Sequence, residues 1–190
     1  LREFGYSELN KQEYFFPDIY IHYQRLKKEN NIAAVEIHKE LLVGKYTREF
    51  DYSFVEKDSQ VINGVTVLSY ANKLNLSILA NQINDNGHYY KMIALRNAYD
   101  VFLLSKKTNA KNAINALDKL SHPLGCFLAT CYEVFNAVES LEYNETTRTA
   151  AYLRVFMSQF INSTTTKRRH KRIKIYLFIK SRLNIIYKAI

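Results

Sequence analysis

Lys167-Arg168-Arg169-His170-Lys171-Arg172 is a run of six residues, all basic or histidine, and it leads directly into Ile173-Lys174-Ile175-Tyr176-Leu177-Phe178-Ile179. Lysine and arginine neutralise phosphates and release the counterions condensed on nucleic acid, while Tyr176, Phe178 and Tyr187 offer rings on which bases can stack. Nine of the chain's 27 Lys and Arg lie between Lys167 and Ile190, with no acid among them. The preceding residues hold 18 basic against 18 acidic side chains, so the whole formal charge of +9 resides in that final segment. Charge confined in this way points to a polyanionic partner, either nucleic acid or an anionic membrane surface. Lys167, Arg168, Arg169, His170, Lys171, Arg172, Lys174 and Arg182 are therefore the expected phosphate contacts.

Wound as a helix, the same segment places Ile175, Ile179, Leu183, Ile186 and Ile190 along one stripe, with Lys174, Arg182 and Lys188 to its sides. That form suits packing on the body of the protein, on a partner or in a lipid interface. The plainer alternative is a basic helix that completes the fold and keeps its charges solvated.

A second constellation is Ala71, Leu74, Leu76 and Ser77, which follows the core of a helix-turn-helix. There a small residue lets two helices approach and Ser77 opens the groove-reading helix, on which Asn81 and Gln82 could bond adenine bidentately. The match is partial. Apolar residues expected four and seven positions after the serine are Asn81 and Asn84, and Asn75 stands where the turn usually has glycine. An ordinary helix pair accounts for the same spacing.

Catalytic chemistry finds little to work with. No two of the five histidines have the three- or four-residue spacing of a helical metal site. Ser121-His122 before Pro123 reads as a turn, and the carboxylates of Glu36 and Glu40 share a helix face that His38 does not. His170 and Arg169 would suit proton transfer and phosphorane stabilisation in RNA cleavage, yet no partner base can be placed. Cys126 and Cys131, five apart, would point about 140° apart on a helix, so they neither pair nor share a metal and read as reduced core thiols. Gly44, Gly64, Gly87 and Gly125 are isolated, which excludes a glycine-rich phosphate loop. No catalytic residue, metal site or cofactor is expected.

These residues must be positioned by a chain that is 47% apolar and 24% charged, enough to bury a core and too ordered in composition for wholesale disorder. No stretch reaches the roughly 18 apolar residues of a spanning helix, and no secretory core opens the chain, so an intracellular, reducing compartment is expected. With 17 Asn and 26 Tyr plus Phe, the composition favours A/T-rich codons and an AT-rich genome. Few Gly and Pro favour long helices. Helices are predicted over 17–31, 32–43, 69–83, 89–105, 109–120, 125–141 and 146–161, with Thr108 or Asn109 and Asn144 or Thr146 as caps. Alternation at Phe50, Tyr52 and Phe54, followed by Asn63-Gly64 between apolar dipeptides, predicts a small β-hairpin region at about 48–68.

The expected fold is thus mainly α: a helical body at 1–161 with that hairpin inserted, a linker at 162–166, and a basic amphipathic helical segment at 167–190. Phe127, Leu128, Cys131, Val134, Phe135 and Val138 are expected to meet Tyr152, Leu153, Val155, Phe156 and Phe160 across antiparallel helices joined by 142–145. The expected function is non-enzymatic nucleic-acid binding, as a DNA-binding regulatory or replication factor or a component of an RNA-protein particle. The alternative is a structural subunit whose last helix docks on a partner protein, a second copy or an acidic membrane surface.

Overall fold

The computed structural model describes residues 1–8, 23, 25–32 and 34–189, with side chains through 183. The start at Pro17 of the first expected helix, Ile190 and the side chains of Ile186, Tyr187 and Lys188 lie outside that description. The chain forms two compact units, Leu1–Asn72 and Lys73–Ile190.

In the first unit three short strands, β1 (Tyr6–Glu8), β2 (Leu26–Lys28) and β3 (Ala34–Val35), make an antiparallel sheet in that order. This corrects the described parts of the helices expected over 17–31 and 32–43: Leu26 pairs with Glu8 on one side and with Val35 on the other. Asn30 has φ of 63°, and the Asn31 amide donates to the Lys28 carbonyl at 3.1 Å. Asparagine tolerates the left-handed region, so Asn30-Asn31 reverses the chain between strands where the periodicity suggests a gap between helices.

The strand expected at Phe50–Phe54 is instead the short helix α1 (Tyr52–Glu56). Asp51 caps it, its carboxylate accepting the Phe54 amide at 2.8 Å. Phe50, just before the cap, packs on Phe54 in the first turn with ring centroids 5.5 Å apart, so alternation at 50, 52 and 54 also contains a pair at helical spacing. Phe50, Leu42 and Val55 are buried here. The hairpin is present: β4 (Gln60–Ile62) pairs with β5 (Val65–Val67), Ile62 opposite Val65. Asn63 and Gly64 have φ of 52° and 78°, the two positive values that a type I′ turn requires.

The second unit is helical. It is entered through α2 (Tyr70–Leu79), which continues as a single π turn over Ala80–Asn84. Then follow α3 (Gly87–Tyr90), α4 (Leu95–Ser105), α5 (Ala110–Asn115), α6 (Ser121–Val134), α7 (Thr147–Ile161) and α8 (Ser163–Ala189). The single helix expected over 89–105 is broken at Lys91, whose φ of 57° is left-handed. Asn109 caps α5, and Thr146 caps α7 in a reciprocal box with Thr149. No helix among the described residues is long and apolar enough to cross a membrane.

The core of this unit gathers on α6, where Leu124 and Cys126 to Cys131 are all buried. Helices α6 and α7 pack together as expected, with Cys126 clustered against Tyr152 and Phe156. The outer part of the expected core is corrected. Helix α6 ends at Val134, so Val134 is exposed and Phe135 sits at the helix end, stacked on Phe102 at 5.0 Å. Phe160 is largely exposed. Residues 135–146, not the short link 142–145, join the two helices, which removes the premise for an antiparallel pair.

Candidate nucleic-acid interface

At 100° per residue, Thr166, Arg169, His170, Ile173, Leu177 and Lys180 fall on one side of α8, and all six are half-buried. Asn162 starts the helix by accepting the Thr165 amide on its side-chain oxygen at 2.9 Å, so residues 163–166 of the expected linker form the first helical turn. The inner side is held by polar contacts: Arg169 donates to the Tyr90 carbonyl at 2.8 Å, and His170 bonds Gln159 at 2.9 Å. Lys180 donates to the Tyr89 hydroxyl at 2.7 Å. The imidazole of His170 also meets the Tyr90 ring edge-on at 5.2 Å. Arg169 and His170, the pair considered for RNA cleavage, are therefore spent on anchoring the helix.

The opposite side carries Lys167, Lys171, Lys174, Phe178 and Arg182 in one stripe, flanked by Arg168 and Arg172, all exposed. Ile175, Ile179 and Leu183, expected as the packing stripe, face out beside these cations at 51%, 52% and 51% exposure. Their spacing is right for docking, but the docked face is the one carrying Arg169 and Lys180, because bonds to Tyr90 and Tyr89 fix it there. Among its described side chains, helix α8 thus has no separate apolar side, and the expected amphipathic character is corrected for that part. Of the eight expected phosphate contacts, six point outward and Arg169 and His170 do not.

The helix-turn-helix is not formed. Helix α2 runs without a break through Ser77, whose hydroxyl lies 3.5 Å from the Asn97 carbonyl, and Asn81 and Gln82 are buried. Gln82 donates to Asn81 Oδ1 at 2.9 Å and to the Met92 carbonyl at 3.0 Å, and its own oxygen accepts the Tyr152 hydroxyl at 3.3 Å. These amides are consumed in linking the π turn, the strand-like stretch after α3 and α7. Gln82→Leu should consequently lower stability by about 2 to 4 kcal/mol, since it leaves several buried polar groups without partners. Urea unfolding reads this, and a loss below about 0.5 kcal/mol would show that the network carries no load.

Below the inner side of α8 lies a cluster that the sequence did not announce. His88 on α3 and His122 and Cys126 on α6 bring one ligand atom each within 4.8 Å of one another. Cys126 Sγ is 3.6 Å from His122 Nδ1. His88 stacks on Tyr152 at 5.7 Å and meets the His122 ring edge-on at 5.1 Å. Burial, then the charge of Lys91 and the nearby His122, pulls the His88 imidazole down to about 4. Burial also lowers His122, with Arg148 and Lys91 adding to it. Burial pushes the Cys126 thiol up to about 12, against the pull of Lys91, so it is a thiol and not a nucleophilic thiolate at neutral pH.

Gly87 allows α3 to approach closely enough to place His88. A Cβ there would stand 2.8 Å from the Asn81 carbonyl and 2.9 Å from the Met92 carbonyl, contacts that no side chain tolerates. One signal for the cluster was present in the sequence: His122 and Cys126 are four apart, one helical turn, a spacing that a search for histidine pairs or cysteine pairs passes over.

Comparison with family models, with curated proteins and with solved structures finds no match for this chain.

Proposed function

We propose that the protein binds nucleic acid through its phosphates, using the outward face of α8, and that binding rather than catalysis is its role. The observation that carries this reading is the partition of charge on one helix: six exposed cations among the described residues, with no acid in the sequence from 163 to 190, while Arg169 and Lys180 are turned inward as anchors. A rigid row of cations at helical spacing can track a phosphate backbone, and Tyr176 and Phe178, both more than half exposed, add faces on which unpaired bases stack. The basic segment thereby acts as the interaction element of the chain, with DNA and RNA both within its chemistry.

A second reading rests on Ile175, Ile179 and Leu183, which are left uncovered on the same face and would suit a protein partner in a larger assembly. Salt separates the two. Titrating a labelled single strand and a duplex across ionic strength should give log-log slopes near −3.5 and −4.5 if about five phosphates are neutralised. Absence of binding, or affinity indifferent to salt, would defeat the phosphate reading; self-association that strengthens with salt would favour the second.

A further inference from the structure

We propose that His88, His122 and Cys126 bind one zinc ion, with three protein ligands and a fourth coordination position left for water. The site is independent of the charge on the outer face of α8. Its ligands come from α3 and α6, two elements already packed together, and their donor atoms lie within 4.8 Å of one another. A tetrahedral zinc with Zn–S of about 2.3 Å and Zn–N of about 2.0 to 2.1 Å requires sulfur and nitrogen about 3.6 Å apart. Cys126 Sγ and His122 Nδ1 stand at 3.6 Å, so the pair is set at a chelating distance before any ion arrives.

A weak S–H···N bond would also account for that distance, and His88 distinguishes the two. Its Nδ1 is buried and has no hydrogen-bond partner among the described residues, a condition that costs free energy and calls for a reason. A thiol–imidazole bond between His122 and Cys126 leaves that nitrogen idle, whereas an ion bound by His88 through Nδ1 would employ it. Two nitrogens and a sulfur are the donor set of a borderline-soft divalent metal, not of calcium or magnesium. The ring of His88 is already oriented by its stack on Tyr152.

Binding is a ligand exchange with no redox step. The Cys126 S–H bond breaks, its proton passes to solvent, and the sulfur lone pair forms the S–Zn bond, while the two neutral imidazoles donate nitrogen lone pairs. The thiolate cancels one of the two charges brought by the ion, which limits repulsion from Lys91, whose Nζ lies 4.8 Å above the Tyr152 ring. His122 also lines a groove of about 510 Å³ with Ser121, Asn144, Thr146 and Arg148, so one of the three ligands is reached from a polar opening.

The test uses the full chain, reduced and stripped with a chelator, then titrated with Co2+ and with Zn2+. One equivalent of Co2+ should raise a thiolate-to-cobalt charge-transfer band, which Zn2+ then displaces, and Zn2+ should raise the Tm. Cys126→Ser should abolish the band and weaken Zn2+ binding at least about 100-fold, as loss of a ligand exceeds loss of a supporting contact; His88→Gln should weaken binding likewise, and Cys131→Ser should change neither. Should Cys126→Ser fail to fold, the wild-type band together with His88→Gln decides the matter. Failure of the wild type to bind either metal at micromolar concentration would overturn the site, as would a band that survives Cys126→Ser or undiminished affinity in His88→Gln.

Discussion

Replacing Lys167, Arg168, Lys171, Arg172 and Lys174 together by Gln should weaken binding to a single strand by about three orders of magnitude at about 0.1 M salt. Each cation that neutralises a phosphate contributes about 0.7 to the slope of log affinity against log salt, so at that ionic strength each lost contact removes roughly 0.7 of a decade. Five together also flatten the slope by about 3.5. Glutamine keeps helix propensity, and all five side chains are exposed, so the fold should persist unchanged by circular dichroism. Arg169→Gln is the informative contrast: its half-buried guanidinium donates to the Tyr90 carbonyl on the inner side of α8, so it should loosen α8 from the unit while leaving most of the slope in place. A loss of less than tenfold in the five-site variant would remove the outer face of α8 from consideration.

Phe127→Ala should cost about 3 to 5 kcal/mol, a large share of the 5 to 15 kcal/mol that holds a domain together. Phe127 is fully buried in the middle of α6, where deletion of a ring leaves a cavity that packed neighbours only partly fill. Phe135→Ala, by contrast, should cost roughly 1 to 2 kcal/mol, because that ring lies beyond the helix end and packs chiefly on Phe102. Urea unfolding of both variants checks the pair. Equal losses, or a loss below about 1 kcal/mol at Phe127, would show that α6 is not the centre of the second unit.

The features legible in the sequence are those fixed by a few adjacent residues. Asn63-Gly64 specifies its turn because both positions need positive φ, and Asn109 and Thr146 specify helix starts because a short side-chain oxygen must meet an orphan amide. Where two periods coincide, sequence loses its power to decide. Phe50 and Phe54 satisfy a strand alternation and a helical turn equally, and the Asp51 cap settles the choice.

The candidate interface was legible in composition but not in orientation. Nine cations in one segment announce a charge, yet the apolar stripe through Ile175 suits the body, a partner or a lipid surface equally, and only Tyr89 and Tyr90, about eighty to ninety residues earlier, fix Arg169 and Lys180 against the unit. Asn81 and Gln82 misled for a related reason: an amide reads bases or satisfies a buried carbonyl with the same atoms, and only its depth tells which. The proposed zinc ligands needed tertiary structure outright, since His88 reaches His122 only through the fold of α3 on α6.

Helix α8 is also a spring held against its own ionic atmosphere. Lys167 with Lys171 and Arg168 with Arg172 are like charges one turn apart, and no carboxylate within the helix relieves them. On the proposed reading small ions pull in two directions: by screening these neighbours they tighten the helix, and by competing for phosphates they would weaken its hold on nucleic acid. A bound polyanion would screen the spring and fill the proposed site at once. The helix should then be most firmly wound when loaded, and amide exchange across 167–174 should slow on adding nucleic acid far more than anywhere in α6, where the backbone is already shielded.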